Sequence, residues 1–453
     1  MRLAFAAIVA AMLPAVLDQT ILATALPTIA ADLGQITDLS WVVTAYVVAA
    51  TASTPLWGKL GDRHGRKRLL EVALTGFITA SALCGFAQDL TQLVVMRAVQ
   101  GIAAGGLMTL AMASIGDLVS PRERGRYQGY IAATFAAATV LGPLVGGLLV
   151  QGPGWRWVFY VNLPLGLAAL AGLQLKLPAG IDERPSRPLD VTGAALLAAA
   201  TTTFMLTCVW GGNRYGWDSP TIVALIGATV LLGAALVARE RRAQDPIVPF
   251  ALLRTRSVAV ASTALFFGTA ALFSVTVFVP LFLQTATGAT PTEAGLLLAP
   301  MMLGTTASTM LSGRYIARTG RYKRFPIIGL GLMASALVLL AAVTGDASRT
   351  ATGVGLVIFG LGFGMVTQVL IVAVQNSVDR RELGVATAAT GFFRALGGAV
   401  GAAALGAVFA AHAGTGVRAD IIDAVQLVFA VAAPLAAIAL LVVLRLPERA
   451  LRS

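Results

Sequence analysis

Apolar positions along this chain are grouped into long runs rather than alternating or recurring on a single helical face. The runs fall near 3–26, 41–60, 69–87, 91–117, 127–150, 155–175, 190–211, 220–238, 258–284, 294–314, 326–344, 351–373, 385–411 and 422–444. A bilayer crossing takes about 20 predominantly apolar residues, so the pattern predicts fourteen transmembrane helices, an all-α polytopic membrane protein. Polar and Gly/Pro clusters near 58–68, 176–188, 211–220, 239–256 and 314–324 supply the breaks. What remains for loops and tails leaves no room for a soluble domain.

Composition agrees with that pattern. Of 453 residues, 57% are hydrophobic and 12% charged, whereas a soluble domain carries roughly 25% charge. The net charge of +12 would suggest a nucleic-acid partner in a soluble chain, but the positions of the cations give it another meaning. Of the 33 Lys and Arg, 27 lie in alternate loops and the tails, four (Arg156, Arg214, Arg349, Arg418) lie in the other loops, and Arg97 and Arg394 lie inside runs. The positive-inside rule then places both termini in the cytoplasm, so the cations give a topology rather than a nucleic-acid partner; the cytoplasmic membrane is the expected location. Arg2, the first run and Ala23-Thr24-Ala25 imitate a cleavable signal peptide, but Asp18 interrupts it, and its loss would leave thirteen spans and put the N-terminus outside. Cys84 and Cys208 fall inside runs, and His64 and His412 are too few and too far apart, so no disulfide, metal or cofactor is expected.

The chain repeats itself. Gly58-Lys59-Leu60-Gly61-Asp62-Arg63-His64-Gly65-Arg66-Lys67-Arg68 recurs 255 residues later as Gly313-Arg314-Tyr315-Ile316-Ala317-Arg318-Thr319-Gly320-Arg321-Tyr322-Lys323. Arg122-Glu123-Arg124-Gly125 matches Arg381-Glu382-Leu383-Gly384 at an offset of 259. The expected organisation is a six-helix bundle over 1–180, two inserted helices over 181–250 and a second six-helix bundle over 251–453. Parallel repeats of this kind rock about a central site.

Asp18 is the acid placed well inside a run; Asp32, Asp117, Glu293 and Asp423 fall near helix ends. An ionisable group at bilayer depth is a functional candidate by default. Desolvation favours a neutral carboxyl and a nearby cation favours the charged one, so a carboxyl held between the two can load and release a proton. The alternative is a fixed ion pair with Arg97 or Arg394 that only pins helices together. Arg97 needs a partner or a water-filled cavity, and Gln100 lies one turn further on nearly the same face. Arg394 reads equally as a cavity cation that repels cations or binds an anionic group, and as a rim residue with no substrate role. Gly142-Pro143 with Gly146-Gly147 removes a backbone donor and gives a flat face for close helix approach. For substrate contact, Phe266, Phe273 and Phe278, with Gln100, Gln284 and Gln368, are candidates for a mostly apolar cavity with a few polar groups. Phenylalanines at such positions also commonly face lipid or a neighbouring helix.

In order along the chain, these residues resemble the major facilitator superfamily, and in particular its 14-helix drug:proton antiporter branch. Leu17-Asp18-Gln19-Thr20-Ile21 with Ala25-Leu26-Pro27-Thr28-Ile29 is similar to the first-helix signature. Trp41 through Tyr46 and the loop from Gly58 to Arg68 resemble the second helix and the loop after it. Arg97-Ala98-Val99-Gln100-Gly101 resembles the fourth-helix motif, and Gly142-Pro143-Leu144-Val145-Gly146-Gly147 the antiporter motif of the fifth. The segment from Trp155 to Gly166 resembles the start of the sixth. Ala138 and Ala317 depart from the pattern, standing where the family has a glycine and an acid.

The resemblance implies a major facilitator fold in a 6+2+6 arrangement and proton-driven export of amphipathic drugs or antibiotics by a monomer. It implies that Arg97 helps govern proton affinity in the first half, with Asp18 and Arg97 as the proton-coupling residues. It also implies a conformational latch built from Gly58, Gly61, Asp62, Arg63, Gly65, Arg66, Lys67 and Arg68, with Asp62 at a helix N-terminus of the other half. Asp117 either joins that latch or is an ordinary helix-end acid. No GxxxxGK[ST] loop is present to use ATP. An integral-membrane enzyme is disfavoured because no His/Asp/Glu cluster or Ser/His pairing is evident. Export of a lipid or a specific metabolite stands as the alternative on the same fold.

Overall fold

A computed structural model describes residues 2–33, 40–119, 121–177, 190–212, 214–243, 246–247, 250–288, 298–343, 348–379, 382–413 and 418–448. Arg381 of the second repeat and Glu293 lie outside these residues, as do residues 178–189. The first half comprises α1 (Arg2–Leu33), α2 (Ser40–His64), α3 (Arg66–Gly85), α4 (Leu90–Leu118), α5 (Pro121–Gln151) and α6 (Asn162–Lys176). Then come α7 (Val191–Trp210) and α8 (Pro220–Glu240). After them, α9 (Arg256–Phe273) runs on through a wide turn at Ser274–Phe278 into Val279–Thr287. Last are α10 (Ala299–Thr319), α11 (Arg324–Val343), α12 (Arg349–Ser377), α13 (Leu383–His412) and α14 (Arg418–Val443).

Among the described residues, twelve helices are long and apolar enough to cross a membrane. The helices α2 and α10, at 25 and 21 residues, have the length but not the apolarity. Their glycines, serines and threonines lower the mean hydropathy, and several are buried against neighbours: Thr51 and Ser53 in α2, Ser308, Thr309 and Ser312 in α10.

Packing follows a two-fold relation. In the first half α2 lies along α4, α3 along α4 and α1 along α5; in the second α10 lies along α12, α11 along α12 and α9 along α13. Across the halves α2 meets α13 and α5 meets α10, the second helix of each repeat against the fifth of the other. Glycines make the closest crossings possible, because any β-carbon would strike backbone. A β-carbon on Gly101 would lie 2.3 Å from the Tyr46 carbonyl oxygen and one on Gly105 2.4 Å from that of Ala50. The equivalents are Gly360 on Met301, at 2.1 Å, and Gly364 on Thr305, at 2.2 Å. These pairs keep the two sequence offsets, 259 residues for the glycines and 255 for the helix they press on. Gly65 and Gly320, 255 residues apart, both turn the chain with left-handed φ of 87° and 71°.

Helices α7 and α8 pack outside this core. Met205 and Cys208 of α7 bury against Val48 of α2 and Ala399 and Ala403 of α13. Asp190 caps α7 by accepting from the Gly193 amide at 2.9 Å and pairs with Arg239 of α8 at 3.0 Å. The hydrogen bond from Arg239 holds the Asp190 carboxyl below its ordinary range. Outward on α8, Val223, Ile226, Val230 and Leu231 are exposed, an apolar face suited to lipid.

Gly360→Val is expected to lower the thermal midpoint of the detergent-purified protein by the equivalent of about 1–3 kcal/mol or more of overpacking. Gly353→Val, on the same helix with open space around it, should leave the midpoint unchanged.

Candidate functional site

Charges inside the helices meet at one buried point of the first half. Arg97 Nη1 lies 2.6 Å from Asp18 Oδ2, and both side chains are only 1% exposed. Asp18 Oδ1 accepts from Gln100 Nε2 at 3.0 Å and from Asn162 Nδ2 at 3.1 Å. Arg97 also donates from Nη1 to Gln100 Oε1 at 2.7 Å and from Nε to the Val42 carbonyl at 3.2 Å. Its guanidinium carbon sits 4.3 Å from the centroid of the Tyr46 ring, a favourable cation–π placement. Asn162 in turn donates to Ser81 Oγ at 3.0 Å, and Cys84 Sγ lies 3.6 Å from Gln100 Oε1. Three donors converge on one carboxyl. Helix α1 carries Pro14 four residues before Asp18, where the missing amide leaves a carbonyl of the preceding turn without its helical donor.

Gly142 and Gly146 of α5 face this part of α1. A β-carbon at Gly142 would lie 2.0 Å from Thr20 Oγ1, and one at Gly146 2.8 Å from the Ile21 carbonyl oxygen. Thr20 Oγ1 also donates to the Ala138 carbonyl at 3.3 Å. Gly147 has open space around it, and Pro143 is exposed. The α1–α5 contact therefore rests on Gly142 and Gly146, which press on Thr20 and Ile21, two and three residues beyond Asp18.

At the basic end of the bundle, Asp62 joins the halves. Its carboxylate accepts from the Gly384 amide at 3.0 Å and the Val385 amide at 2.9 Å, the first turn of α13, where the helix dipole favours an anion. Arg66 Nη2 pairs with Asp62 at 2.6 Å, and Nη1 pairs with Asp117. Lys67 donates to the carbonyls of Gln174 and Leu177; Arg63 is partly buried and Arg68 exposed. A β-carbon on Gly58 would lie 2.7 Å from the Gly384 carbonyl oxygen, and one on Gly61 2.5 Å from Leu110. Nearby, Gln375 Nε2 of α12 donates to Thr387 Oγ1 at 3.2 Å and to the Met112 carbonyl of α4 at 3.4 Å. Gly129 of α5 presses on Met310 of α10. Both interdomain contacts are thus closed at the basic end. At the opposite end Asp32 is held below its ordinary carboxyl range, first by the Trp155 indole at 2.8 Å and then by Arg156 at 2.9 Å.

Between the halves lies a cavity of about 250 Å³. Met12, Gln19, Tyr46, Met108, Met112 and Phe135 line it from the first half, and Leu265, Gln368, Thr390 and Arg394 from the second. Asp18 and Arg97 do not; they lie behind Tyr46, whose hydroxyl donates to the Ala15 carbonyl at 3.4 Å.

Of the sequence-derived substrate candidates, Gln368 and Arg394 reach this cavity. Gln100 does not, being wholly buried in the Asp18 cluster. Phe278 packs on Phe409 with centroids 5.2 Å apart, Phe266 meets Phe267 edge to face, Phe273 is partly buried and Gln284 exposed, none of them lining the cavity. Sequence reasoning passed over Asn162, Tyr46 and Gln19 as individual contributors. The available signal was an amide in an otherwise apolar run for Asn162 and adjacency to Asp18 for Gln19.

Two repeated bundles around a central cavity, with a charge pair buried in one of them, form the architecture of an alternating-access transporter. The family profile of the Major Facilitator Superfamily matches residues 8–402, and the chain belongs to that superfamily. Its family and fold are those of transporters rather than enzymes. The chain is 40% identical over 407 residues to an uncharacterized MFS-type transporter of Mycobacterium tuberculosis, covering 89% of this chain and 59% of that protein. It is 35% identical over 407 residues to the multidrug transporter protein MdtP of Bacillus subtilis, covering 90% and 75%. The chain thus spans about three fifths to three quarters of the length of these relatives. Among solved structures, the human organic anion transporter MFSD10 superposes with a TM-score of 0.72 at 17% identity over 98% of this chain and 99% of that one, a likeness of fold alone.

Gly146→Ala is expected to lower the thermal midpoint through the α1–α5 contact, by the equivalent of about 1–3 kcal/mol, whereas Gly147→Ala should not. Equal effects would show that the doubled glycine is not divided in this way.

Proposed function

We propose that the chain exports amphipathic drugs or antibiotics across the cytoplasmic membrane in exchange for protons, by alternating access and with Asp18 as the proton carrier. The observation that carries this reading is the buried Asp18–Arg97 pair beside the cavity wall. Protonating Asp18 would leave Arg97 uncompensated, and breaking a buried pair from one side costs about 3–5 kcal/mol. Inverting a two-state equilibrium from 1:99 to 99:1 takes about 5.5 kcal/mol. One proton at this site therefore has nearly the leverage that a change of access requires.

In this reading the basic end is cytoplasmic, both termini lie there, and the closed contacts of Asp62 with α13 and Gly129 with α10 correspond to an outward-facing state. The Gly58–Arg68 loop with Asp117 acts as the latch, and the Gly142–Gly147 segment transmits rearrangement at Asp18 to α5. We count α2 and α10 as spans because their polar side chains turn inward, giving fourteen helices as 6+2+6 over 1–180, 181–250 and 251–453. The substrate binds in the central cavity of a monomer that uses no cofactor. The efflux-pump and multidrug names of relatives near 35% identity agree with export.

A second reading, export of a lipid-like molecule, draws on one further observation. An apolar groove of about 150 Å³ lies between the inserted helices and the bundles, lined by Leu197, Leu236, Val237, Phe392 and Phe393.

In proteoliposomes with an imposed pH gradient and a panel of dyes, antibiotics and lipids, Asp18→Asn is expected to abolish uphill export while leaving downhill exchange. Uphill export with unchanged pH dependence in this variant would remove Asp18 from the role. Asp62→Asn weakens a cap worth about 0.5–2 kcal/mol, so the turnover rate should change by several-fold while KM stays nearly constant.

A further inference from the structure

We propose that the substrate carries one acidic group, bound by Arg394 with Gln368, and an apolar body laid against the opposite cavity wall. The inference deepens the export reading and rests on it for calling the bound molecule a substrate. Arg394 stands on α13, eleven residues beyond Leu383, and so about 17 Å along the helix from the latched end. Its side chain is exposed to the cavity and makes no hydrogen bond or ion pair among the described residues. Among the described residues, the cavity lining holds no Asp or Glu. Asp18 is already paired with Arg97 behind Tyr46.

On the adjacent helix α12, Gln368 lines the same cavity, and its Oε1 is buried without a partner. The two ends of an amide are interchangeable by a flip, so Gln368 is able to turn its NH₂ toward an anion. Two unmet polar groups, one permanently cationic, therefore face one cavity.

The 259-residue register sharpens the contrast. Arg394 occupies the position of Phe135 and Gln368 that of Thr109, and all four line the cavity. The first half thus offers Phe135, Met12, Met108 and Met112 with the amide of Gln19, while the second offers the cation and a second amide. Methionines adapt to varied apolar shapes, and a guanidinium matches a carboxylate or sulfonate through two parallel donors. A cation would meet an uncompensated positive charge there. The fifth helices cross the first ones at Gly142 on Thr20 and at Gly401 on Ala270, an offset of 250 for the first helix that puts Gly268 opposite Asp18, while the 259-residue offset puts Leu356 opposite Arg97. The proton pair belongs to one half and the anion subsite to the other.

The test uses the full chain in detergent with two probes sharing one apolar body, 8-anilinonaphthalene-1-sulfonate and the uncharged N-phenyl-1-naphthylamine. The sulfonate probe is expected to lose about 10- to 100-fold in affinity in Arg394→Gln. In Arg394→Lys it should stay within about threefold to tenfold of the wild type, and the uncharged probe should bind all three alike. Arg394→Gln should not lower the thermal midpoint without probe, since it removes an unpaired cation. Unchanged sulfonate affinity, equal losses for both probes or a fall in the midpoint would each overturn the proposal. If the sulfonate probe depends on Arg394 but a pH gradient moves neither probe, the export reading fails and the subsite stands. If a gradient drives export of the cationic dye ethidium while the sulfonate probe ignores Arg394, the subsite fails and the export reading stands.

Discussion

A carboxylate and a guanidinium 2.6 Å apart and almost wholly buried set the terms for the rest of the molecule. Neither charge is tolerable alone at that depth, so α1, α4 and α6 must remain close enough to supply Asp18, Arg97, Gln100 and Asn162 together. The glycines of α4 permit this, since Gly101 and Gly105 let α2 approach until the Tyr46 ring covers the guanidinium. A pair so enclosed changes its charge only if the surrounding helices move. This is the physical link between a proton and a change of access in the proposed cycle.

The movement has a route in the packing. Helix α1 touches α5 through Gly142 and Gly146 within two turns of Asp18, and the other end of α5 meets α10 at Gly129 and Met310. On the far side of the two-fold relation, α2 carries Tyr46 at the cavity wall and Asp62 at the N-terminus of α13. Thus α2 and α5, both in contact with the first-half polar cluster or with the helix that bears Asp18, also form the two closures between halves.

Much of this was legible in the sequence, for identifiable reasons. Asp18 stood out because an acid deep in an apolar run has few structural explanations, and the repeat announced itself through glycines that prove to be backbone crossings at the same two offsets. Asp62 meets the amides of α13, as the loop motif implied. Helix apolarity was a weaker guide: α2 and α10 fall short of a hydropathy criterion because they bury small polar side chains against neighbours. The phenylalanines of α9 misled because composition does not reveal which way a ring points; Phe278 turns to Phe409 while Leu265 reaches the cavity. Gln100 is polar and one turn from Arg97, which fits a cavity residue and a buried network partner equally well, and only the packed structure separates them.

The central claim is that Asp18 changes protonation during the working cycle, and infrared difference spectroscopy of the purified protein across pH observes that directly. With Asp18→Asn as the blank, the account predicts a carboxyl band that appears on acidification in the wild type, is missing in the variant, and shifts when Arg97 is replaced by Gln. A wild type that transports against a pH gradient yet shows no Asp18-dependent carboxyl band would contradict it.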